Sequence, residues 1–194
     1  MKDWKGNTKS VYITLGASNH VLDERELNDF YATDPIAIDL LLSEEVFEGE
    51  ILEPACGQGH LSERLRELGH TVHSSDLINR GYGEVKDFFE LTLFDGNIIT
   101  NPPYKYAKEF IEHSLRILPE GKKIAMFLKL QFLEGKSRKT LFLKNPPKTL
   151  YVSSSRIACA KGGDFEKVKG SAVAYGWYVW EVGFKGTTEV KWIN

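Results

Sequence analysis

No run of the chain approaches the ~20 consecutive apolar residues that span a bilayer, and the opening MKDWKGNTKS lacks the apolar centre of a secretory signal. A cytoplasmic location is the expectation that follows. Cysteine is as scarce: Cys56 and Cys159 cannot frame a disulfide scaffold and form no CxxC pair, so reduced thiols are expected. The histidines supply no metal set, because His70 and His73 straddle a helix-to-strand junction with no further Cys or His beside them. Internal repeats and low-complexity linkers are missing too, which excludes a solenoid or a string of modules. What is there, 42% hydrophobic and 27% charged residues in 194, describes an ordinary globular chain with one full-sized core.

A net charge of −2 argues against a nucleic-acid partner only until it is divided along the chain. Residues 1–119 hold 11 Lys and Arg against 21 Asp and Glu, whereas residues 120–194 hold 14 against 6. A basic C-terminal half can meet phosphates while the acidic half handles another ligand. A solvated basic surface reads equally well from charge alone.

The pattern along the chain alternates strand and helix. Residues 1–29 are polar and read as an arm or lid. Asp34-Pro35 then opens a helix in which Ile36, Leu40 and Leu41 recur at helical spacing. Strands are expected over 49–54, 71–75, 85–89, 97–100, 123–130 and 149–153, and helices over 60–68, 105–118 and 138–143. The aromatic stretch 172–184 reads as a final antiparallel strand or hairpin at a sheet edge. Repeated βα units predict a doubly wound α/β sheet with ligands beyond the carboxyl ends of its strands. Trp177 and Trp180 read as core or edge cover rather than a base platform.

EPACGQGHLS at 53–62 leaves a strand and opens a helix, so Gly57 and Gly59 can bring backbone close to a ligand. Ser62 stands where a dinucleotide fingerprint has its third glycine, and a plain tight turn is the competing reading. Asp76 lies about twenty residues beyond the first loop, at a strand end, where a carboxylate accepts ribose hydroxyls. Asp87 and Phe88 offer an acceptor and a face for adenine, while Phe89 reads as core. Glu53 beside the loop disfavours a pyrophosphate and favours a ligand with a cationic centre and an ammonium group. S-adenosylmethionine carries both.

Asn101-Pro102-Pro103-Tyr104 follows a short apolar strand. Its two prolines remove two backbone donors and leave carbonyl acceptors, so the loop suits a substrate amino group. The Asn101 side-chain oxygen and the Pro102 carbonyl can each take an N–H, and Tyr104 can stack on a planar acceptor. Methyl transfer from a sulfonium needs position more than a strong base. The second prolyl pair, at 145–148, has no strand before it and reads as a turn.

In these segments the chain resembles the class I S-adenosylmethionine-dependent methyltransferases of the DNA N6-adenine type, particularly the small phage and prophage enzymes. The likeness covers FYATDP, EPACGQGHLS, HSSDLINRGYG, DFF, NPPY and GWYVWEVGF in the order of that group. It implies a Rossmann-like seven-stranded methyltransferase sheet with an antiparallel edge strand, and one catalytic domain over 30–194 with no separate target-recognition domain. It implies Tyr31, Thr33 and Pro35 at the methionine end of S-adenosylmethionine, and Glu53, Pro54, Ala55, Gly57 and Gly59 as its main loop. Asp76 and Leu77 would meet the ribose, Asp87 and Phe88 the adenine. Asn101, Pro102, Pro103 and Tyr104 would hold a flipped adenine, with Asn101 also touching the cofactor. Arg156, Lys161, Lys167 and Lys169 would lie near DNA. RNA and protein glutamine are the alternative acceptors, and a non-catalytic binding module is the alternative of another class. Without a recognition region, sequence specificity stays open: short loops, a partner subunit or a homo-oligomer could supply it, or selectivity could be low.

Overall fold

The computed structural model describes residues 31–161, Phe165 and residues 173–194. Its frame is one eight-stranded mixed sheet with helices on both faces, the doubly wound α/β arrangement expected. In chain order the elements are β1 (Tyr31–Thr33), α1 (Ile36–Leu42), β2 (Ile51–Glu53), α2 (His60–Glu67), β3 (Val72–Asp76), β4 (Glu84–Val85), β5 (Asn97–Thr100) and α3 (Ala107–Ile117). They continue with β6 (Lys123–Lys129), α4 (Lys136–Lys144), β7 (Thr149–Ser153), β8 (Cys159–Lys161), β9 (Tyr175–Glu181) and β10 (Glu189–Ile193). The large sheet runs β10-β7-β9-β6-β5-β2-β3-β4, and β1 pairs with β8 in a separate antiparallel ribbon.

The apolar runs are continuous because both faces of the sheet are covered. Along β6, Ile124, Met126 and Leu128 join the core under α3 and α4, while Ala125 and Phe127 join the core under α1 and α2. β9 alternates likewise, with Trp177 and Val179 on one side and Tyr178 and Trp180 on the other. Both tryptophans are core residues: the Trp177 indole donates to the Ala37 carbonyl at 2.8 Å and that of Trp180 to the Asn145 carbonyl at 3.0 Å.

Three expectations are corrected, the first being the count of seven strands, which β10 raises to eight. The antiparallel strand is β9, and it lies inside the sheet, hydrogen-bonded to β6 on one side and β7 on the other. The edge belongs to β10, a short parallel strand whose charged, exposed residues hide its pairing with β7. The strand expected over 85–89 stops at Val85, because the Asp87 side chain accepts the Phe89 N–H at 2.9 Å and turns the chain into a 3₁₀ turn over Phe88–Glu90.

At the start of α1, Asp34 acts as the local cap, accepting the Ile36 N–H at 3.0 Å. Where α2 begins, Gly59 has φ +87°, and a Cβ there would meet the Tyr82 ring at 2.6 Å. Only glycine fits that turn. Strands β2, β3 and β5 all end at this edge, and the chain runs outward in opposite directions from β2 and β5. That is the switch point at which doubly wound sheets bind ligands.

Candidate cofactor and acceptor site

A cavity of about 840 Å³ opens at this switch point. The carboxyl ends of β2, β3 and β5 deliver Glu53, Asp76 and Asn101 to its wall, and β1 contributes Tyr31 and Thr33. Of the residues expected from the sequence, Pro54, Ala55, Leu77, Asp87, Phe88, Pro102, Pro103 and Tyr104 line it as well. Gly57 and Gly59 stand in the adjoining turn, and Pro35 starts α1; none of these three lines the cavity. His60, Ile78, Arg80, Lys105 and Tyr106 also line it, without having been singled out, and so does Phe89, which was expected in the core. Phe89 is therefore no core residue: it is 42% exposed, its outward placement set by the turn that Asp87 caps. The alternation of a strand would have buried it.

Three carboxylates, those of Glu53, Asp76 and Asp87, line the cavity. Asp76 is tied down by two backbone donors, Gly57 N–H to Oδ2 and Ile78 N–H to Oδ1, each at 2.9 Å. Glu53 is buried and accepts a short hydrogen bond from the Ser62 hydroxyl, which lies 2.5 Å from that of Ser74. Burial raises the Glu53 carboxyl from 4.5 to about 8, more than Ser62 lowers it. Ser62 at the third position of the glycine loop is thus a carboxylate partner, where glycine would serve only packing. Burial, with Glu53 and Asp76 nearby, pushes the Cys56 thiol up to about 12, so it stays a protonated wall residue. Arg64, the first cation after the loop, is engaged by Asp39 at 2.7 Å and Glu67 at 2.8 Å and does not line the cavity.

On the opposite wall, the Asn101 amide is oriented by its neighbours. Its Nδ2 donates to Thr33 Oγ1 at 2.8 Å and to the Tyr31 carbonyl at 3.4 Å. A carbonyl can only accept, so the nitrogen faces β1. Oδ1, buried, has no hydrogen-bond partner among the described residues. An orphaned buried acceptor costs about 1–3 kcal/mol, which a ligand N–H would restore.

Tyr104 lies between two tyrosines, with ring centroids 6.4 Å from Tyr31 and 6.3 Å from Tyr175. Its hydroxyl donates to that of Tyr175 at 3.2 Å, and burial holds the phenol well above its usual range. Lys129 places its ammonium 4.4 Å from the Tyr104 ring centre. β8, which sequence reasoning missed because it is three residues long, pairs Cys159 with Thr33 and closes this side. Burial raises the Cys159 thiol as well, against the opposing pull of the Tyr175, Tyr104 and Thr33 hydroxyls.

Of the residues expected near DNA, Arg156 is exposed and Lys161 ends β8; Lys167 and Lys169 lie outside the described residues. Among the described residues no group of three or more His, Cys, Asp or Glu is arranged for a metal ion, and no helix is long and apolar enough to cross a membrane.

No family model and no curated protein matches the chain. Solved structures do. A Listeria monocytogenes protein provisionally assigned to the class I S-adenosylmethionine-dependent methyltransferases aligns over 81% of this chain and 61% of its own, at 16% identity and TM-score 0.51. The M protein of the type I restriction enzyme EcoKI aligns over 91% of this chain and 51% of its own, at 13% and 0.52. A Lactococcus lactis protein provisionally assigned as a hemolysin aligns over 81% and 91%, at 14% and 0.56. The chain thus spans about half of the EcoKI protein and three-fifths of the Listeria one. What it shares with them is the fold, a Rossmann-like α/β sheet.

Proposed function

We propose that this protein is an S-adenosylmethionine-dependent N-methyltransferase whose acceptor is the exocyclic N6 amino group of adenine in DNA. The observation that carries the reading is the orphaned Asn101 Oδ1, a buried acceptor beside a loop whose prolines leave no donor there. The cavity fits the cofactor chemically. Glu53 would take its ammonium end, Asp76 its ribose hydroxyls, and Asp87 with Phe88 and Phe89 its adenine. When bound, S-adenosylmethionine supplies a methyl group already activated on a sulfonium.

The protein's own share is placement. Asn101 Oδ1 and the Pro102 carbonyl accept the two N–H bonds of the acceptor amine, turning its lone pair out of the ring plane, while Tyr104 stacks on the base. The proton released afterwards leaves to water, since Tyr104 is held too high to ionise and Thr33 already accepts from Asn101. An adenine reaches such a cavity only when flipped or single-stranded. The cavity reads a base and not its neighbours, so choice of target sequence falls to groups outside it, a partner subunit or second copy included. The likeness to an M protein of a restriction enzyme, whose chain is about twice as long, supports that division.

The test is parallel assay of labelled methyl transfer to DNA, RNA and a glutamine-containing release factor, with nucleoside mass spectrometry of the DNA. N6-methyladenine is the expected product. Transfer to protein alone would overturn the reading. Asn101→Ala should bind the cofactor normally and lose transfer.

A further inference from the structure

Six lysines around β6, β7 and α4 form two groups. At the amino ends of β6 and β7, Lys122 pairs with Asp95 at 3.2 Å, Lys123 with Glu45 at 2.5 Å and Lys148 with Glu181 at 2.6 Å. Beyond the carboxyl end of β6, where the cavity opens, Lys129, Lys136 and Lys139 have no carboxylate within 4.0 Å among the described residues. Of these six lysines, the three at the amino ends are neutralised by a carboxylate and, among the described residues, the three beyond β6 are not.

The open group is contiguous with the acceptor wall. Lys129 sits against Tyr104, and a single 3₁₀ turn, Leu130–Leu133, separates it from α4. That connection is built to hold a shape: Arg138 donates to the carbonyls of Glu134 and Gln131 and lies 4.9 Å from the centre of the Phe132 ring. Lys136 and Lys139 are exposed on it. They do not serve helix stability, because the first turn of α4 contains no acidic residue and cations there oppose the helix dipole. A local rule broken without compensation inside the chain points to compensation from outside it.

We propose that the segment from Lys129 to Lys139 docks the phosphate backbone of the nucleic-acid strand whose base enters the cavity. Lys136 and Lys139 neutralise phosphates, and Lys129 holds the strand at the entrance beside Tyr104. The inference rests on DNA being the substrate. It adds residues 129–139 as the surface that presents the strand, where the sequence favoured the segment around 156–169.

The test measures DNA affinity of the full chain across a salt series, by anisotropy of a labelled oligonucleotide, for wild type, Lys136→Gln/Lys139→Gln and Lys144→Gln. Lys144 ends the same helix at its far end and reports a loss of charge without a loss of docking. Each released phosphate contact lowers the slope of log affinity against log salt by about 0.7 on a single strand and about 0.9 on a duplex. The double variant should therefore lose about 1.4–1.8 of slope, with S-adenosylmethionine binding and thermal midpoint unchanged, and Lys144→Gln should keep the wild-type slope. A wild type that binds DNA with a slope the double variant shares overturns the docking surface alone. A wild type that binds no DNA at low salt overturns the substrate reading and this surface with it.

Discussion

Replacing Thr33 by Val isolates one hydrogen bond. Both side chains are β-branched and of one shape, so the β1–β8 pairing opposite Cys159 survives, and at 2% exposure the site admits no water to substitute for the lost hydroxyl. Asn101 Nδ2 then keeps only the 3.4 Å contact to the Tyr31 carbonyl. A buried donor left short of a partner costs about 1–3 kcal/mol. If the amide stays, the cost falls on stability; if it turns, oxygen and nitrogen exchange places, and on the proposed reading an N–H would meet the substrate's own N–H. The second outcome raises the barrier by a similar amount, a fall of about 5- to 150-fold in transfer rate. Single-turnover transfer to an oligonucleotide, with S-adenosylmethionine affinity from calorimetry, separates the cases. Thr33→Val should lose rate at saturating cofactor with little change in cofactor affinity, and Thr33→Ser should recover most of the rate. Wild-type turnover by Thr33→Val would refute amide orientation. Lost cofactor affinity with an intact saturated rate would return Thr33 to the methionine end of the cofactor.

The Glu53 carboxyl titrates at about 8 in the fold against an ordinary 4.5, so between those values the native protein holds a proton that the unfolded chain has released. Stability should fall as pH rises across that window, and Glu53→Gln should flatten the profile in denaturant titrations. Affinity for a cationic ligand should move the other way, strengthening as pH approaches 8; a pH-independent dissociation constant in the wild type would remove Glu53 from the ammonium site. Gly59→Ala should destabilise by about 1–3 kcal/mol, since alanine must adopt the left-handed region and meet the Tyr82 ring, and Tyr82→Ala should restore only the steric part in thermal melts. Phe89→Ala should weaken cofactor binding without lowering the thermal midpoint by the several degrees a core phenylalanine would; a large loss of stability would return it to the core.

The sheet strands were legible where sequence and burial share a period. β5 and β7 match their expected bounds, and the apolar run of β6 announced a strand covered on both faces. β10 was not legible, because an exposed edge strand alternating charge with Val190 and Trp192 carries no buried face to betray it. Nor was the interior place of β9: an aromatic run says that a strand is buried, and which neighbours bury it depends on a return of the chain past β7.

The site divides the same way. Glu53, Asp76 and Asn101 could be placed from the sequence because each ends a strand of the same parallel set, and a parallel sheet brings such ends together by construction. The orientation of Asn101 could not, since it depends on Thr33, 68 residues earlier, through a strand too short to recognise. That dependence has a chemical consequence. The acceptor loop alone offers an amide that can turn either face to a ligand, and a site for an amine needs only the oxygen. β1 takes the nitrogen, and so makes the acceptor face the one presented. Under the proposed function the ribbon of β1 and β8 therefore takes part in the chemistry through Asn101, although neither strand would itself meet the substrate's amine.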